Sequence, residues 1–70
     1  MNMDLTQRET EILRLLAEGY NNGEISDKLF ISNHTTKTHL EKIYYKLGVH
    51  NRVQAAILAF KNGLISEDDK

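Results

Sequence analysis

Glycines and small polar residues divide this 70-residue sequence into four short segments. Within each segment the apolar residues recur at intervals of three and four, which is the spacing of one face of an α-helix. None of the segments alternates apolar and polar residues for long enough to predict a strand. We therefore predict an all-α fold, a compact four-helix domain. The expected helices span about residues 6–18, 22–29, 33–47 and 52–62.

Caps are expected at the ends of these helices. Thr6 begins a capping box, in which the capping side chain and a Glu or Gln three residues later exchange bonds with the backbone. Asn51 and Gln54 form the same pattern before the fourth helix. Ser32 is the expected N-cap of the third helix, and Gly48 stands where a left-handed residue ends it. These residues fix where the turns fall.

Length and composition limit the chain to one small domain over residues 1–70. The apolar fraction is 40%, and the chain contains no cysteine, so neither a disulfide nor a thiolate metal site is possible. No apolar run approaches the roughly 18 residues of a membrane span. We expect a cytoplasmic protein with no membrane partner, no metal and no cofactor. The two ends of the chain, residues 1–4 and 66–70, are expected to be frayed.

The basic side chains are concentrated in one part of the chain. Residues 32–52 carry four basic and one acidic side chain, a net charge of +3, although the whole chain has a net charge of -1. A polyanionic partner should therefore bind to this segment. Its charged residues are Lys37, Glu41, Lys42, Lys46 and Arg52.

Only three residues, 30–32, separate the second and third helices, which leaves room for nothing longer than a tight turn. The two helices must then cross steeply and pack through apolar residues such as Ile25, Leu40 and Ile43. This arrangement is a helix-turn-helix.

The third helix has a polar side opposite its apolar side when its residues are placed on a helical wheel. An α-helix fits the major groove of DNA, where Lys donates to guanine, Glu accepts from cytosine and a Thr methyl contacts thymine. An ordinary solvated face is the alternative at this point. The predicted base contacts are His34, Lys37, Thr38 and Glu41.

Phosphate contacts are expected around the same helix. Ser32 and Thr35 lie at its N-terminus, where free amides and the positive end of the helix dipole suit an anion. Lys42 lies on one flank, and Lys46 and Arg52 lie on either side of the following turn. For Lys46, compensation of the helix C-terminus is an equal alternative.

Several motifs occur in register along the chain. They are residues 5–9 (LTQRE), 15–19 (LLAEG), 24–26 (EIS), 29–32 (LFIS), 35–37 (TTK), 46–49 (KLGV), 51–52 (NR) and 55–56 (AA), with His39 and Ile43 between them. In this combination they closely resemble the LuxR-type domain, also called GerE-type or NarL/FixJ-class, of bacterial transcription regulators. The resemblance covers residues 5 to about 65.

This resemblance implies a domain that binds double-stranded DNA sequence-specifically and regulates transcription. The third helix would enter the major groove and the fourth would serve dimerisation, with RNA polymerase as a further candidate partner. The domain would be the output part of a response regulator or of a ligand-sensing regulator, or a stand-alone regulator.

Three positions depart from the family pattern. Thr36 stands where relatives often have Val and is expected in the core, so its hydroxyl should either bind a backbone carbonyl or cost some stability. Gly23 stands where a Lys near the phosphate backbone is common, so one phosphate contact should be lost. Glu41 stands where basic or polar side chains are common, which should alter the target sequence.

The fourth helix is expected to form a weak homodimer, mainly on DNA. Its predicted inward residues are Val53, Ala56, Ile57 and Phe60. The opposite side is narrow and centred on one Leu beside small side chains, so the free domain should be monomeric. The predicted dimer residues are Ala55, Leu58, Ala59 and Asn62.

Other functions have less support from the residues. The sequence has no nucleophile motif and no glycine-rich phosphate loop, so we do not expect an enzyme. His34 and His39 point in different directions around the helix, which disfavours a metal site. A helical protein-interaction module and a helix-turn-helix of another group, such as the promoter-reading region of a sigma factor, remain as alternatives.

Overall fold

The computed structural model describes residues 4–64, and this part of the chain forms four helices and no strand. Each helix end lies within one residue of its expected position, and the all-α fold class is confirmed. None of the four helices is long and apolar enough to cross a membrane. Of the ends expected to fray, residues 1–3 and 66–70 lie outside the described part. The helices are α1 (Gln7–Ala17), α2 (Asn22–Leu29), α3 (Asn33–Leu47) and α4 (Arg52–Lys61).

Side-chain caps define the ends of α1 and α3. The Thr6 hydroxyl accepts from the Glu9 amide at 3.1 Å, and the Glu9 carboxylate accepts from the Thr6 amide at 3.0 Å. This is the predicted capping box. Ser32 caps α3, and Gly48 ends it in the left-handed conformation with φ 70°.

The cap of α4 differs in one bond from the prediction. The Asn51 side chain accepts from the Gln54 amide at 3.0 Å, as expected. The Gln54 side chain, however, accepts from the amide of His50 at 2.8 Å. Because Asn51 is nearly fully extended, with φ −157°, its own amide is turned away from Gln54. The second half of this predicted capping box is therefore wrong.

The hydrophobic core surrounds α1, which contacts each of the other three helices. Leu15, Leu29 and Leu47 are half-buried at the margin of the core. The buried apolar residues are Ile12, Leu13 and Leu16 from α1, Ile25 from α2, Leu40 and Ile43 from α3, and Ala55 and Ala59 from α4.

The predicted inward face of α4 is wrong for three of its four residues, and the fourth, Ala56, is partly buried against the core. Val53, Ile57 and Phe60 are 64%, 49% and 46% exposed, whereas Ala55 and Ala59 are fully buried. The wheel assigned the largest apolar side chains to the core. In the structure, methyl side chains line the buried side of α4, and small side chains allow two helices to approach closely. Size, rather than hydrophobicity, therefore determines which side of α4 packs against α1.

A pair of buried hydroxyls joins the two helices of the helix-turn-helix. Thr36 is fully buried, as predicted, and its Oγ1 lies 2.7 Å from the Oγ of Ser26 on α2. The Ser26 hydroxyl donates to the Asn22 carbonyl at 2.7 Å, which leaves Thr36 as the donor to Ser26. The backbone carbonyl expected as the partner of Thr36 is thus replaced by a side chain from the neighbouring helix.

Replacing Ser26 by Ala should lower the free energy of unfolding by about 1–3 kcal/mol, because it leaves the buried Thr36 hydroxyl without its acceptor. Adding Thr36→Val to that variant should recover most of the loss, since both polar groups are then absent. Urea unfolding of both single variants and the double variant measures these differences. A double variant that is no more stable than Ser26→Ala would contradict this account of the pair.

Candidate nucleic-acid interface

The side of α3 that faces away from the core is polar and open to solvent. His34, Lys37 and Glu41 are exposed, and Thr38 is half-buried beside them. Their spacing along the helix places all four on one surface. Tyr45, which is 88% exposed, extends this surface toward the C-terminus of α3. The four predicted base-contact residues therefore form one continuous row of donors and acceptors.

The N-terminus of α3 presents a hydroxyl pair. Ser32 accepts from the Thr35 amide at 3.0 Å and donates to the Thr35 hydroxyl at 2.9 Å. The Ser32 hydrogen is occupied by this bond, so the Thr35 hydroxyl hydrogen is the one available to an anion. Lys42 is exposed on the flank of the same helix. These groups suit a phosphate that lies beside α3.

Lys46 has a different role from either of the two that the sequence suggested. Its Nζ donates to the Glu9 carboxylate at 2.8 Å, and the two side chains are 30% and 4% exposed. Because its ammonium group is paired with Glu9, we do not carry Lys46 over into the phosphate contacts proposed below. The partners are separated by 37 positions. No local pattern in the sequence indicates such a pair.

The same ion pair affects the ionisation of Glu9. Burial raises the pKa of this carboxyl, but the bonds from the Lys46 ammonium and the Thr6 amide outweigh that effect. The net result is a pKa below the usual value of 4.5. Glu9 is therefore charged at neutral pH, although it is 3% exposed.

Arg52 also bonds within the domain. Its Nη2 donates to the carbonyl of Leu16 at 3.2 Å and to that of Tyr20 at 2.6 Å. These carbonyls belong to the end of α1 and the loop after it, so Arg52 ties α4 to that end. Burial raises the pKa of the Tyr44 phenol above 10.0, and the Arg52 charge opposes this increase. Because the Arg52 Nη2 is bonded within the domain, we do not carry Arg52 over into the phosphate contacts proposed below.

The structure also corrects the predicted dimer residues. Ala55 and Ala59 lie fully buried in the core, where they cannot contact a second copy. Leu58 is half-buried, and the Asn62 side-chain amide donates to the Leu58 carbonyl at 2.9 Å. The exposed apolar residues of α4 lie along a groove between this helix and α1. We call them the α4 outer face: Val53, Ile57 and Phe60.

The histidines do not form a cluster. His34 is exposed, whereas His39 is half-buried, and its Nδ1 is buried without a hydrogen-bond partner within residues 4–64. In the described part of the chain, no three His, Cys, Asp or Glu residues come together as metal ligands do.

Comparison with known proteins identifies the family. The profile of the GerE family, described as "Bacterial regulatory proteins, luxR family", matches residues 3–59. The chain belongs to this family. The LuxR family is a class of DNA-binding transcription regulators rather than a class of enzymes, so this LuxR-family domain is a DNA-binding domain of the same class.

Individual relatives are similar over most of this LuxR-family domain. It is 52% identical over 62 residues to the transcriptional regulatory protein LiaR of Bacillus subtilis, which covers 89% of this chain and 29% of LiaR. It is 51% identical over 61 residues to the response regulator protein VraR of Staphylococcus aureus, covering 87% of this chain and 29% of VraR. The transcriptional regulatory protein LnrK of B. subtilis is 47% identical over 62 residues, covering 89% and 28%. The chain thus spans under a third of the length of these relatives.

Replacing Lys46 by Met should lower the free energy of unfolding at pH 7 by about 2 kcal/mol, because the buried Glu9 carboxylate loses its cation. A lowered pKa in the folded state stabilises the protein above the unfolded pKa, and this stabilisation is lost as the pH falls through the folded value. The difference between the two proteins should therefore shrink below pH 4.5.

Thermal unfolding of both proteins at a series of pH values measures this difference. Lys42→Met is the matched control, because Lys42 is exposed and should show little difference at any pH. A constant difference between wild type and Lys46→Met from pH 7 to acidic pH would show that Glu9 is not the linked group.

Proposed function

We propose that the outward surface of α3 is the part of this domain that reads double-stranded DNA in the major groove. The observation that supports this most directly is the exposed row formed by His34, Lys37, Thr38 and Glu41, on the helix that follows the tight turn. An α-helix fits the major groove, and residues near its N-terminus reach the base edges there. The length of α3, 15 residues, is sufficient for this contact.

Each side chain of the row has a complementary base edge. Lys37 can donate to O6 and N7 of guanine, and Glu41 can accept from the N4 amino group of cytosine. The Thr38 methyl can contact thymine, and His34 lies in the first turn, closest to the groove floor. The phosphates repel the Glu41 carboxylate, so binding should favour sequences in which a cytosine N4 amino group can donate to it. These contacts would provide the sequence preference of the domain.

Phosphate binding is proposed for a smaller set than the sequence suggested. Thr35 can donate its hydroxyl, Ser32 holds that hydroxyl in place, and Lys42 supplies a charge on the flank. Lys46 and Arg52 are left out of this set, because the Lys46 ammonium pairs with Glu9 and the Arg52 Nη2 donates to two backbone carbonyls. With so few cations, the affinity of one domain for DNA should be modest at physiological salt.

Binding to DNA should weaken as salt increases, and Lys42→Ala should reduce the slope of log K against log salt by about 0.9. Lys37→Ala should instead change which sequences are recovered from a random library. The discrimination against the wrong base should fall by about 1–3 kcal/mol at one base pair. Lys61→Ala is the matched control, because this exposed lysine lies at the far end of α4.

Fluorescence anisotropy with labelled duplexes at several salt concentrations gives the slopes, and sequencing of selected duplexes gives the motifs. A slope near zero for the wild type would exclude DNA binding through phosphates. Identical motifs for wild type and Lys37→Ala would exclude Lys37 from base reading.

We propose that two copies associate on DNA through the α4 outer face, and not through the residues expected from the sequence. Val53, Ile57 and Phe60 are apolar side chains with no cover in the described part of the chain. Three side chains bury less than the roughly 1,200 Å² of a stable interface, so the free domain should be monomeric. Two copies on neighbouring half-sites gain the effective concentration that makes a weak contact significant.

Ile57→Asp should abolish cooperative filling of a DNA with two half-sites while the domain stays folded, because Ile57 is 49% exposed. Leu58→Asp is the matched control, since it adds the same charge one residue away on a different side of the helix. Leu58→Asp should keep cooperativity, with some loss of stability because Leu58 is half-buried. Binding isotherms and sedimentation distinguish the two variants. Loss of cooperativity in Leu58→Asp alone would instead support the dimer surface that the sequence predicted around Leu58.

Among the wider roles considered, we favour the output domain of a response regulator. VraR is named as a response regulator, and LiaR and LnrK as transcriptional regulatory proteins. By the same reasoning we propose RNA polymerase as a further partner and the bacterial cytoplasm as the location. A domain in a ligand-sensing regulator or a stand-alone regulator would use the same α3 surface.

A further inference from the structure

Phe30 is unusual in both its backbone and its side chain. It ends α2 in the left-handed conformation, with φ 58° and ψ 43°. The residue is also 93% exposed to solvent. A residue with a Cβ is strained in this region, and a large aromatic ring in water is unfavourable as well. Neither feature stabilises the folded domain.

Folding does not require this residue to be aromatic. The turn is closed by backbone bonds from the amide of Phe30 to the Asp27 carbonyl and from the amide of Ile31 to the Ser26 carbonyl. The other three helices are followed by a residue with positive φ that is a glycine: Gly19, Gly48 and Gly63. Within residues 4–64, α2 is therefore the one helix whose left-handed end residue is not glycine. A glycine at position 30 would adopt this conformation without strain.

Phe30 is close in sequence to the proposed phosphate site. Phe30 precedes Ser32, the cap of α3, by two residues, which is a reach of roughly 7 Å along the chain. On the α3 side of Phe30, residues 31–40 contain no acidic side chain, and on the α2 side the charge of the exposed Asp27 is offset by that of Lys28. A ring at this position is within one or two nucleotides of a phosphate bound at the N-terminus of α3.

We propose that Phe30 is a DNA-contact residue whose ring packs against the deoxyribose of the strand bound by Ser32 and Thr35. This inference rests on the proposed function of α3. A single ring flanked by the half-buried Leu29 and Ile31 is too small for a protein-docking patch, whereas a sugar face between two phosphates matches its size. The contact is apolar, so it adds affinity for every sequence and releases no counterions.

Phe30→Gly separates this role from a structural one. It should weaken binding to a labelled duplex of mixed sequence by about tenfold, because the buried ring face is lost. The slope of log K against log salt should stay unchanged, since no charge is removed. The melting temperature of the free domain should rise by about 4 °C, because the strained left-handed residue is replaced by glycine.

Two further variants complete the test. Phe30→Asn tolerates the left-handed conformation but has no ring, so its affinity should fall as in Phe30→Gly. Phe30→Tyr keeps the ring and should bind like the wild type. Lys61→Ala, far from the turn, should match the wild type in affinity and salt slope.

The outcomes are distinct. If wild type binds with a steep salt dependence and Phe30→Gly binds equally tightly, the inference about Phe30 is wrong and the proposed function stands. If wild type does not bind the duplex at any salt concentration, both proposals fail. A lower melting temperature in both the Gly and Asn variants would show that the ring packs within the domain, and would also overturn the inference.

Discussion

The position of α3 depends on the ion pair between Glu9 and Lys46. One carboxylate, almost completely buried, closes the cap at the start of α1 and binds the ammonium group from the last turn of α3. A buried charge without its partner is strongly destabilising, so this contact permits one placement of α3 against α1. Arg52 holds the other end of α1 in a similar way, through two backbone carbonyls. Both ends of the central helix are thus fixed by basic side chains from later in the chain.

This use of basic residues changes how the charge of residues 32–52 should be interpreted. Two of its four cations are bound inside the domain, which leaves Lys37 and Lys42 against Glu41 on the outer surface. The outer surface of α3 is therefore only weakly positive. Under the DNA binding proposed for α3, hydrogen bonds at the base edges and uncharged contacts beside the helix would then supply a large part of the affinity. A count of charges along a sequence overestimates the charge that a partner meets.

The sequence predicts the local structure well and the long-range contacts poorly. The ends of α1 and α3 depend on Thr6, Ser32 and Gly48, whose effects act within one turn, so local patterns identify them. The outward row on α3 follows from helical periodicity for the same reason. The roles of Lys46 and Arg52 depend on partners more than 30 positions away, and the rotation of α4 depends on how closely its backbone approaches α1. Neither is determined by the residues nearby.

The alanines on the buried side of α4 separate two functions within ten residues. Because Ala55 and Ala59 alone are fully buried there, the large apolar side chains of the α4 outer face are only partly covered by the rest of the domain. Val53, Ile57 and Phe60 are therefore free to diverge after gene duplication while the fold persists. Under the association proposed above, a change at these three residues would alter pairing between copies while the core contacts of α4 stay the same. The small side chains on the buried side of α4 thus leave its exposed side open to sequence change.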